Sequence, residues 1–181
     1  MHYPIVTERL ILEPLTLADL HTFVSYRRDP AIARFQGWET TYSDDDARTL
    51  IDSQAGKSLP EKGEWLQIAV HDRVNNDLLG DLALHSVVGD DAVYEIGFTI
   101  AKIHQRQGFA REAASSLMEI LSTDVGATKI VANTDRRNTA SVKLLEALGF
   151  EHVPSQSWTE ELTNELVTID HFETRRGAVN R

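Results

Sequence analysis

The feature that most constrains this chain is a change of periodicity near residue 101. Before it, residues 65–71, 78–85 and 92–100 read as three strands, separated by Asn75-Asn76-Asp77 and Gly89-Asp90-Asp91, both strong turn chemistry. This is the pattern of an antiparallel meander. After it come a helical pattern over 108–122, a short apolar strand over 129–133 and a second helix over 139–148. Strand, helix, strand, helix in succession requires a parallel crossover. The expected product is an α/β fold whose mixed sheet is mostly antiparallel.

At the junction lies Gln105-Arg106-Gln107-Gly108-Phe109-Ala110. Gly108 lets the main chain approach a ligand closely, Ala110 keeps the approach open, and the first N–H groups of the following helix have no intrahelical partner. Such a turn offers bare backbone to an anion, the physics of a pyrophosphate site. No Gly-x-x-x-x-Gly-Lys occurs and the three-glycine dinucleotide fingerprint is missing, so nucleotide hydrolysis and hydride transfer lack support. Coenzyme A is the remaining common ligand of this kind. The helix places Phe109, Ala113, Leu117, Ile120 and Leu121 on one face, which packs it on the sheet while its N-terminus stays free.

Upstream, residues 8–13 form a short apolar segment stopped by Pro14, and Thr16 heads a helix expected over 17–28, with Asp29-Pro30 ending it. Ser43 followed by Asp44, Asp45 and Asp46 starts a helix running to about residue 55. Between them, Phe35, Gly37, Trp38 and Tyr42 carry no clear period. That aromatic loop reads either as a hydrophobic lid on the core or as a wall of an acceptor pocket. Downstream, Asn138 is an N-cap type and Gly149-Phe150 a glycine C-cap with a hydrophobic clasp. A closing strand is expected over 165–173, then a polar tail over 174–181.

At 181 residues the chain suits one domain spanning 1–181. Cysteine is absent, which removes disulfides, thiolate metal sites and an acetyl-cysteine intermediate. The seven histidines show no metal-ligand spacing, so no metal is expected. A net charge of −10 argues against nucleic acid as the main partner and permits a basic or amine partner. No apolar run approaches a membrane span and the start lacks signal-peptide order, so a cytoplasmic protein without membrane association is expected. No exposed apolar face is marked clearly enough to decide between monomer and homodimer.

Three stretches together carry a family resemblance: Tyr94-Glu95-Ile96-Gly97-Phe98-Thr99-Ile100, then His104 through Ala113, then Asn138-Thr139-Ala140-Ser141 through Leu148-Gly149-Phe150. They resemble the consecutive motifs of the GCN5-related N-acetyltransferases (GNAT), in particular the branch holding the ribosomal-protein N-terminal acetyltransferases. Thr7-Glu8-Arg9-Leu10 and Leu79-Gly80 are similar to that branch as well. The resemblance covers roughly residues 5–150 and implies a GNAT fold, its sheet splayed between the fourth and fifth strands with acetyl-CoA in the splay.

It also implies roles. The family's Gln/Arg-x-x-Gly-x-Gly/Ala loop falls on Gln105, Gly108 and Ala110, so backbone N–H groups of Gln105, Arg106, Gln107, Gly108, Phe109 and Ala110 would hold the acetyl-CoA pyrophosphate. Arg106 and Arg111 would either add charge to that grip or lie solvated. Backbone around Phe98, Thr99 and Ile100 would bind the acetyl carbonyl and pantetheine arm. Glu95 matches a position that takes the amine proton through water; a glutamate that orders a loop is the competing reading. Between residues 129 and 153 there is no tyrosine to protonate the thiolate, so Ser141 is the candidate acid, against a capping role at N3. Asn138 would cap and contact CoA, Asn133 is a further candidate for the cleft, and His104 would shape the turn. Trp38, near Asp44–Asp46, is a candidate for receiving a cationic amine, unless the aspartates only begin a helix.

The implied reaction is direct acetyl transfer from acetyl-CoA to a primary amine: a peptide or protein N-terminus, or a small amine or antibiotic. A CoA-binding module without catalysis is the alternative from another class.

Overall fold

The computed structural model describes residues 1–90, 92–162 and 165–174. Asp91 of the second turn, Thr163, Asn164 and the tail from 175 lie outside the described residues. Nine strands form one sheet: β1 (Ile5–Val6), β2 (Leu10–Pro14), β3 (Trp65–Asp72), β4 (Leu78–Ser86), β5 (Val93–Ile100), β6 (Lys129–Asp135), β7 (Phe150–His152), β8 (Trp158–Leu162) and β9 (Glu165–Thr174). The spatial order is β1-β2-β3-β4-β5-β6-β9-β7, with β8 also on β9. Every pairing is antiparallel except β5 with β6, where the crossover lands.

That parallel pairing is short. It joins Val93 to Lys129, Tyr94 to Ile130 and Glu95 to Val131, and then stops, although both strands continue. From Ile96 onward β5 pairs with β4 alone, so half of its backbone polar groups face an opening instead of a neighbour. The expected splay lies here; the two-residue β1 makes the fourth and fifth strands β5 and β6.

Among the described residues five α-helices cover the two faces: α1 (Leu20–Arg27), α2 (Pro30–Ala33), α3 (Asp44–Gln54), α4 (Phe109–Ile120) and α5 (Thr139–Ala147). The alternation of β3 explains the layering. Leu66, Ile68 and Val70 pack in one cluster with Ala113, Leu117 and Leu121, whereas Ala69 packs in a second with Leu20, Phe23 and Ile51. A strand buried on both faces reads as a near-continuous apolar run, the pattern seen over 65–71.

Differences from the sequence reading have local causes. The helix expected from residue 17 begins at Leu20, because the Thr16 N–H and hydroxyl both donate to the Asp19 carboxylate and tie 16–19 into a turn, leaving Leu17 exposed. Beyond Pro30 the chain adds the single turn of α2, capped when Ala31 N–H donates to Asp29. The helix expected to 122 leaves α geometry at Leu121 and closes through a wider turn on Gly126. The strand expected over 129–133 runs on to Asp135. Strands β7 and β8 went unread, since short strands in a polar, tryptophan-containing segment give little periodicity.

The aromatic loop divides between its two readings. Trp38 and Tyr42 pack on the second core cluster, while Phe35 turns to the opening beside Ala31, Ile32 and Gln36.

Candidate active site

A cleft of about 530 Å³ occupies the split between β5 and β6. Its floor is β5 from Ile96 to Ile100, one wall is Ala132–Thr134 of β6 with Asn138, Ser141 and Leu145 near α5, and its mouth is the turn at residues 104–111.

At that mouth the backbone folds as the glycine pattern demands. Arg106 has φ 62° and Gly108 φ 84°, both left-handed, and Gly108 caps α4. No N–H group from Arg106 to Arg111 donates to an acceptor among the described residues; the first to do so is Glu112, onto Gly108 carbonyl. A run of free donors at a helix's positive end is an anion site. Gln105 turns its side chain inward instead, donating from Nε2 to Ile100 carbonyl at 2.9 Å, and so ties the loop to the end of β5. At residue 104 the backbone N–H donates to Ala101 carbonyl and closes the preceding turn.

The loop is also braced from the chain's start, which sequence reasoning missed. Arg9 donates from Nε to Glu112 Oε2 at 2.7 Å and from Nη1 to Gln107 carbonyl at 3.0 Å, with its guanidinium 4.6 Å from the Phe109 ring centre. Thr7 hydroxyl and Arg9 N–H both donate to Glu112 Oε1. These bonds hold the Glu112 carboxyl below its ordinary range, although partial burial pushes the other way. The Thr7-Glu8-Arg9 motif was the available signal.

Inside the split, Glu95 sits at the last paired position of β5. Its Oε1 accepts from Asn133 Nδ2 at 2.7 Å, and its Oε2 lies 3.5 Å from His85 Nδ1. The His85 ring stacks on Trp65 at 4.7 Å between centres. Glu95 itself is not among the cleft's lining residues; Asn133, which it binds, is. Asn133 Oδ1 lies 2.7 Å from His171 Nδ1, so both ends of that amide are engaged. His171 carried no sequence signal, because β9 meets β6 only through long-range pairing, whereas His85 faces Glu95 across the β4–β5 hairpin.

Asn138 caps α5, accepting from Ser141 N–H at 3.2 Å. The Ser141 hydroxyl has no partner among the described residues, and Ser141 lines the cleft. Phe98, Thr99, Ile100, Arg106, Gly108, Phe109, Ala110 and Arg111 line it too. Gln107 does not, its carbonyl being turned to Arg9. Trp38 is not brought there either. Its ring lies 3.9 Å from the Arg27 guanidinium and its Nε1 donates to Arg27 carbonyl, so the face expected for an incoming cation already holds one. Asp46 completes a capping box with Ser43, and Asp44 pairs with Arg28, so two of the three aspartates serve the start of α3.

The sheet is thus split, with a free amide row at its mouth and a carboxylate at its apex. The family model described as "Acetyltransferase (GNAT) domain" matches residues 9–151, and the chain belongs to this family as an N-acetyltransferase. It is 28% identical over 150 residues to the uncharacterized N-acetyltransferase YoaA of Bacillus subtilis (strain 168), covering 82% of this chain and 84% of that one. The spermidine N-acetyltransferase of Vibrio cholerae, solved with CoA and spermine, shares the fold at TM-score 0.81 and 20% identity, over 97% of this chain and all of that one. A GNAT-family acetyltransferase from Bacillus anthracis does so at TM-score 0.80 and 20% identity, over 93% and 96%.

Proposed function

We propose that this chain moves the acetyl group of acetyl-CoA to a primary amine in a single ternary complex. The observation that carries the reading is the row of free N–H groups from Arg106 to Arg111 at the mouth of a split whose apex holds Glu95. In this reading the row grips the pyrophosphate of acetyl-CoA, Arg106 and Arg111 add charge, and the pantetheine arm runs along Phe98–Ile100. Asn138 contacts the donor from the start of α5.

The chemistry then needs three services. The ammonium must lose a proton, which Glu95 accepts, directly or through one water. As the amine nitrogen bonds to the thioester carbon, charge grows on the carbonyl oxygen, and N–H groups on the open edge of β5 stabilise it. When the C–S bond breaks, the Ser141 hydroxyl gives its proton to the thiolate and takes in its place the second proton that the newly acylated nitrogen loses, so the serine ends neutral. No metal enters this sequence of steps.

For the acceptor, the motifs' likeness to the ribosomal-protein branch supports a peptide or protein N-terminal amine. A small polyamine is the second reading, supported by the spermidine-acetylating neighbour and by the net charge of −10, which attracts cations. The two are separated by following thiol release from acetyl-CoA with N-terminal peptides, polyamines and aminoglycosides, with mass spectrometry of the product. Acetylated amine is expected with one class. Loss of acetyl-CoA only by hydrolysis, whatever the amine, would contradict the reading.

A further inference from the structure

Backbone pairing between β5 and β6 ends at Glu95 and Val131, and Asn133 is the next β6 residue on the same face. Its side chain therefore reaches across the split at its apex to bind Glu95. On its other side β6 pairs with β9, where His171 stands opposite Asn133 and Glu173 opposite Val131. His85 of β4 stands opposite Glu95. One row thus crosses four strands: His85, Glu95, Asn133, His171.

The partners determine which atoms donate. A carboxylate only accepts, so the Asn133 Nδ2 side must face Glu95, and its Oδ1 faces His171. Oδ1 needs a donor, so His171 Nδ1 carries a hydrogen. His171 Nε2 lies 3.2 Å from Glu173 Oε1 on the far side of the ring. Lys129 Nζ, at 3.2 Å, and Gln156 Nε2, at 3.2 Å, hold Glu173 in turn. The directions run one way, from His171 through Asn133 into Glu95 Oε1, and leave Oε2 without a hydrogen bond among the described residues.

We propose that Asn133 and His171 are positioning residues of the acetyl transfer: they fix the Glu95 carboxylate at the apex of the split so that Oε2 is the oxygen that receives the amine proton. This rests on the reading of Glu95 as proton acceptor. It also assigns the amide of Asn133 to the acceptor side of the reaction, not to acetyl-CoA. His171→Phe keeps the ring volume and removes the donor, whereas His171→Gln retains an amide donor. Asn133→Leu removes the link itself.

The test combines kinetics with a spectroscopic readout. With acetyl-CoA and whichever peptide or polyamine of the panel turns over, Asn133→Leu and His171→Phe should lower kcat about 10- to 100-fold, the scale of a misplaced catalytic group, with the KM for acetyl-CoA within about twofold. His171→Gln should recover most of the rate. In the proton spectrum of 15N-histidine-labelled protein, the His171 Nδ1–H resonance should be shielded from exchange and lose that shielding in Asn133→Leu, whether or not an acceptor is known. Wild-type kcat in both Asn133→Leu and His171→Phe, while Glu95→Gln is crippled, overturns this proposal alone. So does an unchanged Nδ1–H resonance in Asn133→Leu. Wild-type turnover by Glu95→Gln overturns the reading beneath it and this proposal together.

Discussion

Arg27 is 4% exposed and Asp81 2%, yet their nearest atoms stand 3.5 Å apart. Tyr26 supplies the shorter contact, donating its hydroxyl to Asp81 Oδ1 at 2.5 Å, and the Arg27 guanidinium lies against the rings of Phe23 and Trp38. Burial pushes the Asp81 carboxyl up, while Arg27 and Tyr26 oppose it. Deleting one partner of such a group leaves the other uncompensated in the interior. Arg27→Met should therefore cost about 3 kcal/mol of unfolding free energy in urea; a loss below about 1 kcal/mol would mean the cation–π contacts and the ion pair contribute little beyond packing.

A second buried group titrates where it can be followed. Burial disfavours a charged His71, but its Nε2 lies 2.7 Å from Asp19 Oδ1 and its Nδ1 3.0 Å from Glu13 Oε1, and these carboxylates win, raising its pKa. For Asp19, burial pushes up but the His71 and Thr16 hydrogen bonds pull its pKa below the ordinary value. A raised histidine stabilises fully below its unfolded pKa of about 6.5 and loses that contribution as pH climbs through the folded value. A lowered carboxylate contributes above about 3.9 and loses its share as pH falls through the folded value. Unfolding free energy should thus decline above about pH 6.5 in the wild type, and His71→Gln should flatten that decline. Parallel pH curves for the two proteins would contradict the assignment.

At the scale of the element, α4 does two jobs with two faces. Ala113, Ala114, Leu117 and Met118 are buried against the sheet, which fixes the helix, while its first turn stays bare. Because Glu112 is the point where Arg9 and Thr7 fasten that turn to the N-terminal strands, Glu112→Ala should weaken acetyl-CoA binding about tenfold, roughly 1.4 kcal/mol, with the fold kept. Calorimetry reads this directly, and an unchanged Kd would show that the loop needs no brace. Gly108→Ala combines a left-handed φ with a new Cβ 3.3 Å from the Arg9 guanidinium, so it should lose about 1–2 kcal/mol of stability and affinity as well.

Across the whole molecule, the split is a topological consequence. A parallel strand delivered by a crossover pairs for three residues with an antiparallel meander and then diverges, and the gap is roofed by α4, α5 and the Phe35 segment. Most of this was legible in residues: turn pairs at 75–77 and at 89–91, the switch of period at 101, Gly108 before an apolar helical stripe, and Asn138 with Gly149 bounding α5. The amide row was legible from Arg106 onward, since a glycine turn before a helix determines where free N–H groups point, but the N–H expected at Gln105 is taken by Lys102 carbonyl. What joins Glu95 to Asn133 and His171, or Arg9 to Glu112, was not. Those pairs are separated by 38 to 103 positions, and their meeting depends on how distant elements come together, which no local pattern encodes. Trp38 illustrates the opposite error: an aromatic in a loop reads as available until Arg27 is found covering it.

The central claim is that the split between β5 and β6 is an acetyl-CoA site. Calorimetric titration of acetyl-CoA into the wild-type protein tests it most directly, with one-to-one binding at micromolar Kd predicted and a matching rise in unfolding free energy of about 2.7 kcal/mol at a hundredfold excess over Kd. Absence of binding heat together with an unshifted unfolding transition at millimolar acetyl-CoA would contradict it.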